Sequence, residues 1–262
     1  MLKILFFSRF SIVNKQNTIF KNYETCLVLG NGPSIKQDLN EIIKLRSNSD
    51  IMALNFFCNS PEFKRFKPVL YCIADPVIFS SAKGKEILPD AINDFIKNFN
   101  KIDWNCDLYY PKHFDRKFIL NKITNPLVRK RSYNSTPLNS NYKLTHLFFK
   151  YGLGMPVPES VIIPSILITI NQRFKKIYLF GVDHSWAKNL EVDDNNSSSF
   201  LLNHFWGNDS RTLSDRGMSD FFMSQYRLFS SHDQLKKYSE YRNVKIINKT
   251  KKSLIDSYDR NE

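Results

Sequence analysis

Residues 25–34 constrain the fold more than any other part of the chain, because they join a strand signal to a glycine turn and a helix start. They read Thr-Cys-Leu-Val-Leu-Gly-Asn-Gly-Pro-Ser, and the apolar run at the beginning predicts a buried strand. Gly30 and Gly32 allow a sharp turn and a close approach to a ligand. The helix that begins at Ser34 is expected to turn its free N–H groups toward that turn, as in a site for a nucleotide phosphate.

This turn differs from the two commonest nucleotide cradles. A dinucleotide-binding fingerprint requires a third glycine and an acidic residue at the end of the second strand. Ile35 stands at the first of these positions, and the second predicted strand ends in Asn55. No Gly-Lys-Ser/Thr sequence follows, which excludes a P-loop. The pattern therefore predicts a nucleotide site that does not hold NAD or ATP in the usual way.

Apolar, strand-like runs alternate with helical patterns along the rest of the chain. Strands are predicted at 26–29, 50–55, 68–74, 106–110, 176–183 and 244–248, and helices at 35–45, 91–98, 160–174 and 218–241. This alternation predicts an α/β fold, a Rossmann-like, open and mostly parallel sheet with helices on both faces. We expect a single domain over residues 25–262 after an N-terminal extension, residues 1–24. Residues 112–150 read as basic and irregular, and the polar residues 184–217 predict a mobile lid.

Composition limits the class of protein and its partners. The cysteines at positions 26, 58, 72 and 106 form no Cys-x-x-Cys pair, so we expect reduced thiols and a cytoplasmic location. Residues 1–13 are too short and interrupted to span a membrane and resemble no secretory signal, so they are expected to dock on the domain or to anchor it at a membrane surface. The net charge of +13 suits an anionic membrane, an acidic or phosphorylated sugar substrate, or a solubilising face. No nucleic-acid-binding motif accompanies it.

Glycines or polar residues follow most of the predicted strands at their carboxyl ends, where ligands bind in open parallel sheets. They are Gly30, Asn31, Gly32, Asn55, Asp75, Asp183, His184, Ser185, Asn248 and Thr250. Each one alone is typical of a turn or a helix cap, but together they predict one binding edge. Asparagine suits a base edge or a ribose, because its amide both donates and accepts.

Four of these motifs together resemble a known family. Gly-Asn-Gly-Pro-Ser at 30–34, Asn55, Asp75-Pro and Ile-Tyr-Leu-Phe-Gly-Val-Asp at 177–183 resemble bacterial sialyltransferases of glycosyltransferase family 42. They are equally similar to MptE-like domains, which include the flagellin-modifying Maf proteins. Residues 245–255 match the closing strand of this family and its serine-containing turn, here with Ser253.

The resemblance implies a metal-independent, inverting glycosyltransferase of a GT-A-like variant fold, with no cofactor. Its donor would be a CMP-activated acidic sugar, sialic-acid-like or Kdo-like, and its acceptor a surface glycan such as lipopolysaccharide or capsule. By position, Asn31 would contact the phosphate, Asn55 and Asp75 the sugar or cytidine, and Ser160 the nucleotide. Further nucleotide or substrate contacts would come from Gly30, Gly32, Ser34, Ser185, Trp186, Asn248, Thr250 and Ser253. The protein would be cytoplasmic, with peripheral attachment to the inner membrane, and an oligomer is compatible with the sequence.

The general base of such a transfer is predicted among His204, His184 and Asp183. A neutral imidazole accepts a hydroxyl proton near neutral pH. His204 lies in an aromatic, glycine-containing context like that of the family's base, whereas His184 directly follows Asp183, which would orient it. Two other functions stay open: the pterin pyrophosphokinase activity found in the MptE-like branch, and non-catalytic binding of a nucleotide or glycan.

Overall fold

The computed structural model describes residues 20–79, 89–113, 117–138, 143–204, 207–212 and 217–261. Its strands are β1 (Thr25–Leu29), β2 (Asp50–Leu54), β3 (Leu70–Cys72), β4 (Cys106–Pro111), β5 (Val128–Tyr133), β6 (Lys176–Phe180), β7 (Leu190–Val192), β8 (Ser198–His204), β9 (Gly207–Thr212) and β10 (Lys245–Asn248). Within the described residues, seven strands form one parallel sheet in the order β10-β6-β1-β2-β3-β4-β5. The predicted parallel sheet is confirmed.

Helices cover both faces of this sheet. They are α1 (Ile35–Leu45), α2 (Pro61–Phe66), α3 (Pro76–Phe79), α4 (Pro89–Asn100), α5 (Lys117–Lys122), α6 (Lys143–Lys150), α7 (Ile162–Asn171) and α8 (Met218–Tyr241). Alternate residues of β1 point to opposite sides, so Leu27 and Leu29 pack with α1, α2 and α4. Cys26 and Val28 pack with α6, α7 and α8 on the other face. Strands buried on both faces explain the continuous apolar runs in the sequence.

The segment 112–150 is more regular than its sequence predicts, because it contains α5, the edge strand β5 and α6. The sequence of β5, Val-Arg-Lys-Arg-Ser-Tyr, has no apolar alternation. Its arginines pair instead with the buried Asp107 of β4: Arg129 donates Nε and Nη2 at 2.8 and 2.9 Å, and Arg131 donates Nε at 2.8 Å. A buried carboxylate therefore replaces the apolar contacts that normally identify a strand.

The predicted lid, residues 184–217, contains a small antiparallel sheet in the order β7-β8-β9. The carboxylate of Asp193 accepts from the backbone N–H of Asn195 and Ser197 and so fixes the turn between β7 and β8. The expected mobility of this segment stays a prediction. Residues 213–216 lie outside the described residues, as does the predicted anchor at 1–13.

All four cysteines are buried and unpaired. Among the helices in the described part of the chain, none combines the length and the apolar character that crossing a bilayer requires.

Candidate functional site

The strand order places a crevice between the carboxyl ends of β1 and β6. From β1 the chain winds outward through β2, β3, β4 and β5, and then returns to β6 on the other side of β1. The loops that follow β1 and β6 therefore leave the sheet in opposite directions, and such a reversal is where open α/β sheets bind ligands. The predicted glycine turn and the predicted Asp183 meet at this point.

Glycines let these two loops touch backbone to backbone. The N–H of Gly30 donates to the carbonyl of Phe180 at 2.7 Å, and the N–H of Gly32 donates to that of Gly181 at 2.8 Å. A Cβ on Gly30 would lie 2.3 Å from the Gly181 oxygen, and one on Gly32 would lie 1.8 Å from Oδ2 of Asp183. The two glycines are therefore needed for the backbone contact between the turn and the end of β6, whether or not a ligand also approaches the turn.

Ser34 and Asp183 connect the two loops through their side chains. The Ser34 hydroxyl donates to Oδ2 of Asp183 at 2.8 Å. Burial raises the pKa of the Asp183 carboxyl above its usual value, and the hydrogen bond from Ser34 opposes that rise. A half-buried carboxylate thus stands at the rim of the crevice.

The expectation of free N–H groups at the start of α1 is wrong for the first helical residues. The N–H groups of Ile35, Lys36 and Gln37 donate to the carbonyls of Gly32, Pro33 and Ser34 at 3.3, 3.4 and 2.9 Å. The donors are engaged within the turn itself, so an anion at this site needs another source of positive charge.

Lysines provide that charge. A pocket of about 280 Å³ opens between the start of α1 and the loops after β6 and β10. Its lining residues are Pro33, Ser34, Gln37, Asp183, Ser185, Lys188, Lys251 and Lys252. These lysines could not be selected from the sequence, because single lysines in a chain of net charge +13 are indistinguishable from an ordinary solvated surface.

Hydrogen bonds from Arg260 hold the loop after β10 that carries Lys251 and Lys252. The guanidinium of Arg260 donates to the carbonyls of Thr250, Ser253 and Ile255 at 2.7, 3.0 and 2.8 Å. Lys188 Nζ donates to the carbonyl of Lys252 at 3.1 Å. The pocket is thus supported by backbone contacts before any ligand arrives.

Asn248, Thr250 and Ser253, which are predicted to bind the ligand, form hydrogen bonds within the protein instead. The hydroxyl of Thr250 accepts from the Val182 N–H at 3.0 Å, and that of Ser253 donates to the Val182 carbonyl. The Asn248 carboxamide bonds the Thr250 N–H and the Ser253 hydroxyl at 3.1 and 3.2 Å. All three are buried and have protein partners, so they position the loop that leads to Asp183.

Amide groups lie along the neighbouring strand ends. Asn31 Nδ2 donates to the Leu54 carbonyl at 3.3 Å, while its Oδ1 is buried with no protein partner. Asn55 adopts a positive φ of 44°, and its Oδ1 accepts from the N–H groups of Ala74 and Asp75 at 2.9 and 3.2 Å. Asp75 in turn caps the start of α3 through the Val77 N–H at 3.0 Å. Asn31, Asn55 and Asp75 are therefore brought together at adjacent strand ends.

Ser160 lies in a separate bend just before α7. Because α7 leads into β6, its start lies toward the carboxyl edge of the sheet. The neighbouring Glu159 accepts from the Ser224 hydroxyl at 3.0 Å and from the Arg227 guanidinium, which ties this bend to α8.

His184 belongs to a buried chain of polar rings. Its Nε2 lies 3.2 Å from Nε2 of His232, and Nδ1 of His232 lies 3.0 Å from the Tyr258 hydroxyl. The ring centroid of His184 is 5.1 Å from that of Trp186, which packs on the core. Burial lowers the pKa of His184 to about 3, so its ring is neutral at physiological pH.

His204, the other predicted base, is the last residue of β8 and pairs with Gly207 across the hairpin. The structure does not describe its side chain, and the adjacent Phe205 and Trp206 lie outside the described residues. Its catalytic role stays a prediction.

Comparison with solved structures finds similar folds. No protein-family profile matches the chain, and no curated protein matches it. The fold is similar to the solved structure of the Maf glycosyltransferase from Magnetospirillum magneticum AMB-1, with a TM-score of 0.53 and 12% sequence identity. The similarity covers 93% of this chain but only 34% of the Maf protein, so the chain spans about a third of that protein's length. The α/β architecture predicted from the sequence is confirmed, and it is similar to that of part of the Maf protein.

Proposed function

We propose that this chain is a glycosyltransferase that binds a nucleotide-activated sugar in the crevice between β1 and β6. The observation that carries the proposal is the contact between the glycine turn and Asp183 beside a pocket with three lysines. Its location at the strand-order reversal is the usual one for a nucleotide in this kind of sheet. The Maf-like fold supports transfer of a sugar over other uses of a nucleotide.

In this proposal the donor phosphate lies in the lysine pocket. Lys188, Lys251 and Lys252 provide positive charge, and Ser34 and Ser185 provide hydroxyl groups. These groups also stabilise the phosphate as it leaves with the bonding electrons, where preformed positive charge has its largest effect.

Asn31 then contacts a different part of the donor. Its Nδ2 is engaged by Leu54, and the group that remains for a ligand is the buried acceptor Oδ1. A phosphate ester is unprotonated at neutral pH and offers no hydrogen, so the partner of Oδ1 is a hydroxyl or amine of the ribose, base or sugar. Asn31 is therefore proposed to bind an uncharged hydroxyl or amine of the nucleotide sugar, and not its phosphate as the resemblance implies.

The transfer requires a base near the acceptor hydroxyl. The hydroxyl oxygen attacks the anomeric carbon, its proton passes to the base, and the bond from that carbon to the nucleotide phosphate breaks. Of the two candidates whose side chains are described, Asp183 lines the pocket whereas His184 is buried against His232. We therefore assign the base to Asp183 or to His204, with His184 in a supporting position.

The finer proposal is a CMP-activated acidic sugar, bound without a divalent metal and delivered to a surface glycan by a cytoplasmic enzyme. Thermal unfolding with CMP, UDP, GDP or ATP, each with Mg²⁺ or with EDTA, tests it. We expect CMP to give the largest upward shift in both conditions. The double variant Lys188→Ala/Lys251→Ala should lose that shift, and the control Lys64→Ala/Lys97→Ala, two exposed lysines on α2 and α4, should keep it. A response to ATP alone that requires Mg²⁺ would favour the pyrophosphokinase and contradict the CMP-sugar donor.

Turnover distinguishes an enzyme from a binding protein. Hydrolysis of a CMP-activated sugar should fall by about 100-fold or more in the variant that removes the true base, with little change in donor affinity. Asp183→Asn is a matched change because an asparagine still accepts from Ser34. If both Asp183→Asn and His204→Ala keep the wild-type rate, the base lies elsewhere. Binding of CMP with no turnover of any CMP-sugar and acceptor would identify a non-catalytic protein.

A further inference from the structure

A second pocket opens at the opposite edge of the main sheet. It has a volume of about 460 Å³ and lies where the chain enters β6 and β10, at the amino ends of these strands. Its lining residues are Ile170, Arg173, Phe174, Lys175, Arg242, Asn243 and Val244. The nucleotide crevice lies beyond the carboxyl ends of the same strands, so the two pockets are separated by the length of the sheet.

The lining combines an apolar floor with a cationic rim. Ile170, Phe174 and Val244 are buried core residues, whereas Arg173 and Lys175 are exposed. No acidic residue is found among the residues that line this pocket. A ligand that fits such a lining has an anionic head and an apolar portion next to it.

The rim is part of a larger basic edge. Lys176 and Lys245 are register partners at the starts of β6 and β10, and Lys21 Nζ donates to the Arg173 carbonyl at 2.8 Å. Glu24 pairs with Lys21 and Lys175 at 3.3 and 3.5 Å. The edge therefore holds six cationic side chains, which outnumber the carboxylates of Glu24 and Asp50: Lys21, Arg173, Lys175, Lys176, Arg242 and Lys245.

One guanidinium of the rim is held in place before binding. Arg242 Nη1 donates to Oδ1 of Asn171 at 3.1 Å and to the Tyr238 hydroxyl at 2.7 Å. These bonds fix the group at the pocket and leave its other donors for a ligand. A planar, oriented guanidinium suits a phosphate, which accepts two parallel hydrogen bonds.

The chain reaches the body of the protein at this same edge. The N–H of Asn22 donates to Oδ2 of Asp50 at 2.7 Å, at the amino end of β2. The preceding residues 1–19 contain Lys3, Arg9 and Lys15, no acidic residue, and many Leu, Ile and Phe. Apolar residues with cations are the composition that binds anionic bilayers, where an apolar part and a basic patch act together.

We propose that the amino edge of the sheet docks on an anionic phospholipid surface, with a lipid phosphate in the pocket lined by Arg173, Lys175 and Arg242. Docking in this orientation turns the nucleotide crevice toward the solvent. The proposal is independent of the donor assigned to that crevice.

Sedimentation of the full chain with lipid vesicles tests this proposal. We expect binding to vesicles of phosphatidylcholine with 30% phosphatidylglycerol, about 10-fold or more above binding to phosphatidylcholine alone, and weaker binding as salt is raised. Arg173→Glu/Lys245→Glu reverses two exposed charges of the edge and should weaken vesicle binding about 10-fold or more. The control Lys64→Glu/Lys97→Glu makes the same change in net charge on α2 and α4 and should keep binding within about threefold. Circular dichroism and thermal midpoints verify that both variants are folded.

Three results would overturn the proposal. Equal losses in both double variants would show that only the net charge matters, and equal binding to neutral vesicles would remove the anionic lipid. The third result is wild-type vesicle binding by Arg173→Glu/Lys245→Glu together with loss of binding to inorganic phosphate or to a short single-stranded RNA, which would identify the pocket as a site for a soluble anion or a nucleic acid.

Discussion

At the scale of single residues, the crevice depends on Gly32, where there is no room for a Cβ atom. A Cβ on Gly32 would lie 1.8 Å from the Asp183 carboxylate and 2.7 Å from the Gly181 carbonyl oxygen. We predict that Gly32→Ala separates the two loops, lowers the free energy of unfolding by about 1–3 kcal/mol and weakens nucleotide binding about 10-fold or more. Gly217→Ala is the control, because its Cβ would meet nothing closer than Ser219 Oγ at 3.9 Å. Calorimetric titration and urea unfolding provide both measurements, and unchanged affinity in Gly32→Ala would refute the loop contact as part of the site.

Asn31 is expected to affect ligand binding much more than stability. The buried Oδ1 of Asn31 has no protein partner, so the unliganded protein bears the cost of an unsatisfied acceptor. We predict that Asn31→Ala leaves the unfolding free energy of the unliganded protein within about 1 kcal/mol of wild type, since one weak bond and one unsatisfied group are lost together. Donor affinity should fall about 10-fold or more, because the ligand loses its acceptor. A large loss of stability with unchanged affinity would assign Asn31 to the fold alone.

At the scale of elements, β5 depends on one buried carboxylate. Asp107 is fully buried and pairs with Arg129 and Arg131 of this edge strand. We predict that Asp107→Asn lowers the free energy of unfolding by about 3–5 kcal/mol, because two arginines lose their counter-charge. Asp103→Asn, which breaks an exposed pair with Lys67, should lower the stability far less, because solvent screens that pair. Urea unfolding of the two variants measures the difference, and equal costs would contradict the buried pairing.

The same elements show what a sequence can and cannot predict. The central strands were predictable because burial on both faces leaves an uninterrupted apolar run, as in β1, β2 and β6. The edge strand β5 was missed because its partner, Asp107, is a polar residue on another strand. For the candidate site, the positions at the strand ends were predicted because each follows an apolar run, and the structure brings several of them to one edge, whereas their binding roles stay predictions. The contact between Ser34 and Asp183, the three lysines and the supporting role of Thr250 depend on loops that meet only in the folded sheet.

At the scale of the whole molecule, two buried histidines make stability depend on pH. Burial lowers the pKa of His184 to about 3, and burial together with the neighbouring His184 places the pKa of His232 well below its usual range. Both rings are neutral when folded, whereas the unfolded chain protonates them below about pH 6.5. Their contribution to stability is therefore complete above that pH and is lost as the pH falls toward 3. The predicted slope in this window is up to about 1.4 kcal/mol per pH unit for each histidine.

Urea unfolding at pH 7, 6 and 5 measures this slope. His232→Gln removes one titrating ring and should reduce the pH dependence by about half, whatever its effect on stability at pH 7. His113→Gln provides the comparison: burial lowers the pKa of this loop residue less than that of His232, so its removal should change the slope less. A slope that His232→Gln leaves unchanged would show that other groups carry the acid sensitivity.

The contact between Ser34 and Asp183 joins residues 149 positions apart, and this separation has a consequence for biosynthesis. A growing chain can pair β1 with β2, β3, β4 and β5 while the other side of β1 has no neighbour. Until β6 leaves the ribosome, the apolar Cys26–Leu29 run is an open sheet edge. The glycine turn then lacks the carbonyls of Phe180 and Gly181 that accept its N–H groups in the folded protein. The crevice is therefore among the last parts of the protein to form, and a chain interrupted before residue 180 would have a sheet but no binding site.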